Sequence, residues 1–220
     1  MYKHAIVGLG PAGILVLASL PKADLVQTIV IERHAVGGAL STEYSQVIAN
    51  ITKATIVLAF SKVWDTSSIL TKYKEDECPV LADVCKDMRR LITPDLKRAT
   101  HRTATLTDLV ETSTGWKLKL NDEIIEATNV YLCTGAKPKT LDLPIPHIPL
   151  ATALNKEALG RAITTDDRVI VFGTSHSGTL ILKNLKDLGA KQVTGIYTGE
   201  RPFWYARDGY TEGLKQESAQ

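Results

Sequence analysis

Lys3-His4-Ala5-Ile6-Val7-Gly8-Leu9-Gly10-Pro11-Ala12-Gly13 decides the fold of this chain. Ala5, Ile6 and Val7 form a short apolar run of the kind that makes a buried parallel strand. It enters a complete G-x-G-x-x-G, and ILVLASL then has the composition of a helix start. Gly8 allows the tight strand-to-helix turn, Gly10 lacks the Cβ that would hold a pyrophosphate off the backbone, and Gly13 lets the helix lie close on the sheet. Pro11 suits the first helical turn, where a missing N–H costs nothing. The helix N-terminus, carrying roughly half a positive charge, then faces the phosphates.

Two other readings compete for the same residues: a secretory signal running from Lys3 to Leu20, and a glycine-bearing turn in an ordinary core. A signal needs a small-residue cleavage site and has no use for three glycines at this spacing. Thr28-Ile29-Val30-Ile31-Glu32 supplies the deciding feature, a second buried strand that ends in an acid. An acid about 20 residues beyond the glycines is placed to accept the ribose hydroxyls of an adenosine. Strand, glycine turn, helix, strand and acid together predict a dinucleotide site. The next turn, Arg33-His34-Ala35-Val36-Gly37-Gly38, has paired glycines that allow close backbone approach to a ligand.

The totals exclude several classes. With 220 residues the chain has room for one large domain or two small ones, and 44% hydrophobic with 23% charged residues is ordinary for a globular protein. A net charge of +2 gives no case for nucleic acid as a partner. No apolar run reaches the ~20 residues that a bilayer requires, so no membrane partner is expected. Three cysteines without close pairing argue against a disulfide framework and suit a reducing cytoplasm. No metal-ligand spacing occurs.

Beyond Ser41 the pattern is mostly helical. Pro79 to Ile92 is the clearest piece, with Val80, Val84, Met88, Leu91 and Ile92 near helical spacing and Pro94 expected to stop it. From Ala104 the period changes to two. Ala104–Glu111, Trp116–Leu120 and Ile124–Ala127 read as three antiparallel strands, and Asn129–Cys133 as a separate buried strand running into Thr134-Gly135-Ala136-Lys137-Pro138. The proline-rich LDLPIPHIPL, from Leu141 to Leu150, reads as an extended connection and a boundary.

Past it the opening device returns. Arg168–Phe172 is a strand, Gly173-Thr174-Ser175-His176-Ser177-Gly178 the turn, TLILKNLKDLGA a helix ended by Gly189, and Gln192–Tyr197 the next strand. Ser175 replaces the middle glycine but still offers a backbone N–H and a hydroxyl. No acid closes this strand: Tyr197 and Thr198 do, with Arg201 shortly after. An acid favours a free 2′-hydroxyl and an arginine accommodates a 2′-phosphate, which favours NADPH over NADH.

In this order, GLGPAG, IVIERHAVGG, VYLCTGAKP and VIVFGTSHSG resemble the FAD-dependent pyridine-nucleotide oxidoreductases, the flavoproteins with two dinucleotide-binding domains. The resemblance implies an α/β fold. A Rossmann-like FAD domain with a parallel sheet and an antiparallel β-meander would take residues 1–150, and part of a second, NAD(P)-binding Rossmann-like domain would take 151–220. Gly8, Gly10, Pro11, Ala12 and Gly13 would then hold the FAD pyrophosphate, and Glu32, with Arg33 beside it, the adenosine ribose. Gly37 and Gly38 would lie near the ribityl chain, Thr134 and Gly135 against the cofactor, and Leu106 or a neighbour against the adenine. Gly173, Thr174, Ser175, His176, Ser177 and Gly178 would hold the nicotinamide cofactor, NADP or NAD.

The thiol pairs of the disulfide reductases, C-x-x-x-x-C and C-x-x-C, do not occur. VIANITKATIVLAF resembles the N-x-T stretch of flavin-containing monooxygenases, which implies that Asn50 would hydrogen-bond a flavin oxygen adduct. A buried capping role for Asn50 is the competing reading. The family's late G-D motif is missing, so the chain is expected to be a truncated or N-terminal piece of such an enzyme. The expected function is an oxidoreductase that passes hydride from NADPH to FAD and on to oxygen or a small organic acceptor. A dinucleotide-binding module without turnover and a single-cofactor NAD-dependent dehydrogenase are the alternatives.

Overall fold

The computed structural model describes residues 1–121, 123–198, 205–207 and 210–212. At its centre is β1 (Tyr2–Val7), with Ala5 and Ile6 fully buried. It runs parallel to β2 (Thr28–Ile31) on one side and to the second half of β6 (Glu123–Leu132) on the other. A six-stranded sheet follows in the order β3-β2-β1-β6-β5-β4, where β3 is Thr100–Arg102, β4 Leu106–Thr112 and β5 Gly115–Leu120.

Two layers cover this sheet, as a strand buried on both faces requires. On one face α1 (Pro11–Ser19) and α4 (Leu81–Leu96) bring Ile14, Leu17, Val84, Met88 and Ile92 against Ile6 and Val30. Two further helices, α2 (Ala39–Thr42) and α3 (Lys53–Phe60), belong to this side, where Phe60 and Ile56 join the same cluster. On the other face the meander curls back over the sheet, so that Leu118, Leu120 and Ala127 pack on Ala5, Val7, Ile29 and Ile31.

Four sequence expectations change here. Ile124–Ala127 and Asn129–Cys133 are one strand, because Ala127 pairs with Trp116 of β5 and with Tyr2 of β1 and hands the strand from one partner to the other. Pro94 does not end α4, which continues to Leu96. Lys22 Nζ lies 2.6 Å from buried Asp95 and ties this last turn to the turn that follows α1. β3 was missed, since Thr-His-Arg has no apolar run and owes its extension to pairing with Ile29–Ile31. The short helices α5 (Leu150–Leu154) and α6 (Lys156–Ala162) also lie where no element was expected.

Residues 133–149 form neither helix nor strand, as the prolines require. Beyond them β7 (Arg168–Phe172) pairs in parallel with β8 (Gln192–Ile196), with α7 (His176–Asp187) across them. Val171 faces Ile181 and Leu185 of α7, while Ile170, Phe172 and Ile196 are exposed. A small antiparallel hairpin joins β9 (Tyr205–Arg207) to β10 (Tyr210–Glu212).

One surface cluster makes stability depend on acid. Asp83 of α4 lies 2.8 Å from Lys72 Nζ and accepts the Tyr73 hydroxyl at 2.5 Å. The Lys72 ammonium, then the Tyr73 hydroxyl, hold its carboxyl below the usual carboxylate range. A carboxyl lowered in the folded state adds stability above the unfolded pKa, and loses it as pH falls through the folded one. Melting temperature will therefore decline below about pH 4, and Asp83→Asn will flatten that decline. Thermal melts across this range check it; equal slopes in both proteins would dismiss the cluster.

Candidate functional site

Both glycine turns stand at the C-terminal ends of parallel strands, where open α/β sheets bind ligands. In the first, Gly8 has φ +95°, and its N–H donates to Ile31 O at 2.7 Å, which fixes the end of β1 against β2. A Cβ on Gly13 would stand 1.9 Å from Gly8 O, so only glycine lets α1 start this close to the strand. Gly10 differs: nothing lies within 4 Å of where its Cβ would be. Gly10 is also the N-cap of α1, so the open space lies at the end of the helix whose first turn, Pro11-Ala12-Gly13, carries the positive end. An anionic pyrophosphate fits this cradle.

Glu32 is buried at 6% exposure. One carboxylate oxygen accepts Leu9 N–H at 2.5 Å and the other accepts His34 N–H at 2.9 Å. Its own N–H donates to Arg102 O at 3.0 Å. The acid is therefore aimed at the glycine turn and clamps it. A carboxylate has about four acceptor positions, so both oxygens retain capacity for ribose hydroxyls.

The double glycine closes on the same turn. Gly37 N–H donates to Leu9 O at 2.7 Å, and a Cβ on Gly38 would meet Gly10 Cα at 3.2 Å. From behind, Arg89 of α4 donates to Val36 O at 3.3 Å, and Cys85 lies under Gly37. Cys133 N–H bonds Val7 O at 2.8 Å as the chain leaves β6, and its carbonyl fills the place a Gly8 side chain would need. Thr134 follows against Gly8, and Gly135 opens onto empty space.

The second turn repeats the first in detail. Gly173 has φ +91°, its N–H donates to Ile196 O at 2.7 Å, and a Cβ on Gly178 would stand 2.0 Å from Gly173 O. Ser175 caps α7 with φ −83° and ψ −162°, close to the −72° and −174° of Gly10 at α1. Because Ile196 takes the place of Ile31, Tyr197 takes the place of Glu32, and it is exposed at 44%.

The sequence matches the pyridine nucleotide-disulphide oxidoreductase family over residues 2–217. This chain belongs to that family. Monooxygenase AgnR1 of Paecilomyces divaricatus is 30% identical over 234 residues, taking in 92% of this chain and 58% of that protein. Bacillithiol disulfide reductase from Staphylococcus aureus has the same fold at TM-score 0.68 and 15% identity, over 99% of this chain and 61% of that one. OTEMO, in a complex with FAD and NADP, superposes at TM-score 0.62 and 16% identity, over 88% of this chain and 38% of that one. The chain thus spans about three-fifths of the length of the first two, at 58% and 61%.

In this chain the remaining expected residues are spread more widely. Leu106 opens β4 opposite Leu120 and packs into the layer between sheet and meander. The segment that borders Glu32 is Arg102-Thr103-Ala104, which lines an open cavity of ≈ 380 Å³ with Leu120, Asn121 and Glu123. Only the spatial neighbour of β2 identifies it, so nothing in the sequence signalled it. Arg33 is exposed beside Glu32. Asn50 is exposed and does not cap a helix; Thr52 caps α3 by accepting Thr55 N–H at 3.4 Å. The capping reading of Asn50 is thereby corrected. Arg201 lies outside the described residues.

Cys78, Cys85 and Cys133 are not disulfide-bonded, and burial pushes the Cys85 and Cys133 thiols up, away from the nucleophilic thiolate. Among the described residues no group of three or more His, Cys, Asp or Glu could hold a metal ion, and no helix is long and apolar enough to cross a membrane.

Proposed function

We propose that this chain binds FAD at the first turn and NADPH at the second, as the paired sites of an oxidoreductase whose acceptor is oxygen or a small organic molecule. The carrying observation is the repeated turn geometry, with an acid behind one turn and none behind the other. Bound FAD supplies hydride acceptance and onward electron transfer. The protein's own part is to hold and orient. Gly10, Ala12 and Gly13 receive the flavin pyrophosphate, Glu32 the ribose, and Gly38 with Thr134 and Gly135 the chain toward the isoalloxazine. The adenine goes to the main chain of Arg102-Thr103 rather than to Leu106. Gly173 to Gly178 receive the second pyrophosphate. Monooxygenase AgnR1, 30% identical, supports a monooxygenase-like use of oxygen, with exposed Asn50 as its candidate polar partner. Three cysteines without a disulfide between them suit a reducing cytoplasm.

The test is spectroscopic. Purified chain with FAD should show bound-flavin absorbance that NADPH bleaches without air. Bound flavin that NADPH leaves oxidised would make the chain a dinucleotide-binding module without turnover. Tight NAD binding without flavin would make it a single-cofactor dehydrogenase, a reading the antiparallel meander disfavours. Coenzyme choice has its own prediction. Tyr197→Glu restores the acid that repels a 2′-phosphate, and will weaken NADPH at least about tenfold while sparing NADH. Titration of both coenzymes checks this, and equal effects on the two would remove Tyr197 from coenzyme selection.

A further inference from the structure

The two turns are joined by one short run of chain. It starts at Gly37, whose N–H is held by Leu9 O of the first turn, and passes through α2 by bonds from Ser41 N–H to Gly38 O at 3.0 Å and Tyr44 N–H to Ala39 O at 3.0 Å. Val47 N–H then donates to Tyr44 O at 3.0 Å. The run is backed from outside by the head of α4, where Leu81 N–H donates to Val47 O at 2.9 Å and Ala82 N–H to Ser45 O at 2.8 Å. Tyr44 and Val47 do not pack into the first unit's core. They lie against the cluster of Ala153, Leu154, Leu159, Val171, Ile181 and Leu185 that belongs to the second. At the end of the run Ile48 O meets His176 Nε2 at 3.2 Å, and His176 is the first residue of α7 within the second glycine turn.

A strap held at one end by Leu9 and at the other by His176 is hydrogen-bonded along its length, at Ser41, Tyr44, Ser45 and Val47. Gly38 stands directly over Gly10, so an occupant of the first cradle fixes the start of the strap. Fixing the start fixes Ile48, and Ile48 fixes the imidazole at the mouth of the second turn. The tautomer with hydrogen on Nε2 donates to Ile48 O and leaves Nδ1 as an acceptor.

We propose that His176 is a positioning residue which, through the strap from Gly37 to Ile48, couples occupation of the first dinucleotide site to affinity at the second. This rests on the reading that each turn takes a dinucleotide. Coupling between binding sites is reciprocal, so FAD and NADP⁺ each raise the affinity of the other by the same factor.

The experiment titrates NADP⁺ by calorimetry into the full chain with and without saturating FAD, then repeats this for His176→Phe and for Val47→Ala, which lies in the strap and belongs to neither turn. The unsubstituted chain should gain about fivefold or more in NADP⁺ affinity from FAD, within the usual range for such coupling. Both variants should bring that gain close to one while still binding FAD. The difference between paired titrations cancels any direct loss of NADP⁺ binding from His176→Phe, which a merely structural role would produce alone. Equal NADP⁺ affinity with and without FAD in the unsubstituted chain overturns the coupling, as does a gain that survives in both variants. In either case two bound dinucleotides leave the proposed function standing. Failure to bind FAD or NADP⁺ at all would instead defeat the two-site reading, and the coupling with it.

Discussion

Gly13→Ala will cost the fold more than about 3 kcal/mol, whereas Gly10→Ala will leave it folded and take away its flavin. The two glycines sit three residues apart in one turn and look alike in sequence. Their surroundings are opposite. A methyl on Gly13 meets the Gly8 carbonyl at 1.9 Å, and that carbonyl belongs to the backbone leaving the central strand, so either α1 or β1 must move. Moving either opens the packing of Ile6, Ile14 and Leu17, each fully buried. For a chain of this size 1 kcal/mol corresponds to about 2–4 °C, so the melting point should fall by at least about 6 °C. At Gly10 a methyl meets nothing within 4 Å, and φ of −72° is open to any residue. Stability should stay within about 0.5 kcal/mol of the parent. The added carbon would occupy the space proposed for the pyrophosphate, and FAD should bind at least about a hundredfold more weakly, or roughly 2.7 kcal/mol. Melts without ligand and flavin titration separate the two effects. A Gly10→Ala protein that holds FAD like its parent would show that the phosphates lie elsewhere.

The contrast also explains what could be read in advance. β1, β2, the first turn, β7, α7 and the second turn were legible because each is a local event: an apolar run, a glycine at a fixed offset, a helix start. The same holds for β5, whose alternation follows from one covered face, whereas a register shift between Leu106 and Asp108 breaks the alternation of β4. What escaped depends on partners distant in sequence. Thr100–Arg102 becomes a strand only because β2 offers it an edge. The bordering role of Arg102 at Glu32, and the contact of His176 with Ile48, join residues whose chain separation carries no pattern. Pro94 shows the reverse case, where a strong local rule yields: α4 runs on to Leu96 with Ile92 and Asp95 buried on either side of the proline. For Asn50 the competing capping reading falls because Asn and Thr both cap helices, and the register of α3 decides for Thr52.

Glu32→Ala will lower both stability and flavin affinity, and the sequence pattern foretold only the second of these. An acid ending β2 reads as a ribose acceptor. In the folded chain its carboxylate also satisfies two backbone donors, Leu9 N–H and His34 N–H, in a place that is only 6% exposed. Removing it strands the buried Leu9 N–H, at about 1–3 kcal/mol for a donor left without a partner, while the N–H of exposed His34 can turn to water. The loss falls where it disturbs most, because Leu9 is also the residue whose carbonyl holds Gly37. Flavin affinity should fall about ten- to hundredfold from the lost ribose bonds alone, and further because the turn is no longer clamped. Glu32→Gln separates the roles: its amide keeps one acceptor for the backbone but sets an N–H against the other donor, so stability falls while a ribose hydroxyl still finds a partner. The ordering expected for flavin affinity is parent, then Gln, then Ala. Melting without FAD reads the clamp, and titration at a temperature where every variant is folded reads the ribose contact. An Ala variant that melts like the parent would dismiss the clamp. One that melts early yet binds flavin undiminished would leave Glu32 as the support of the turn and place the ribose outside its reach.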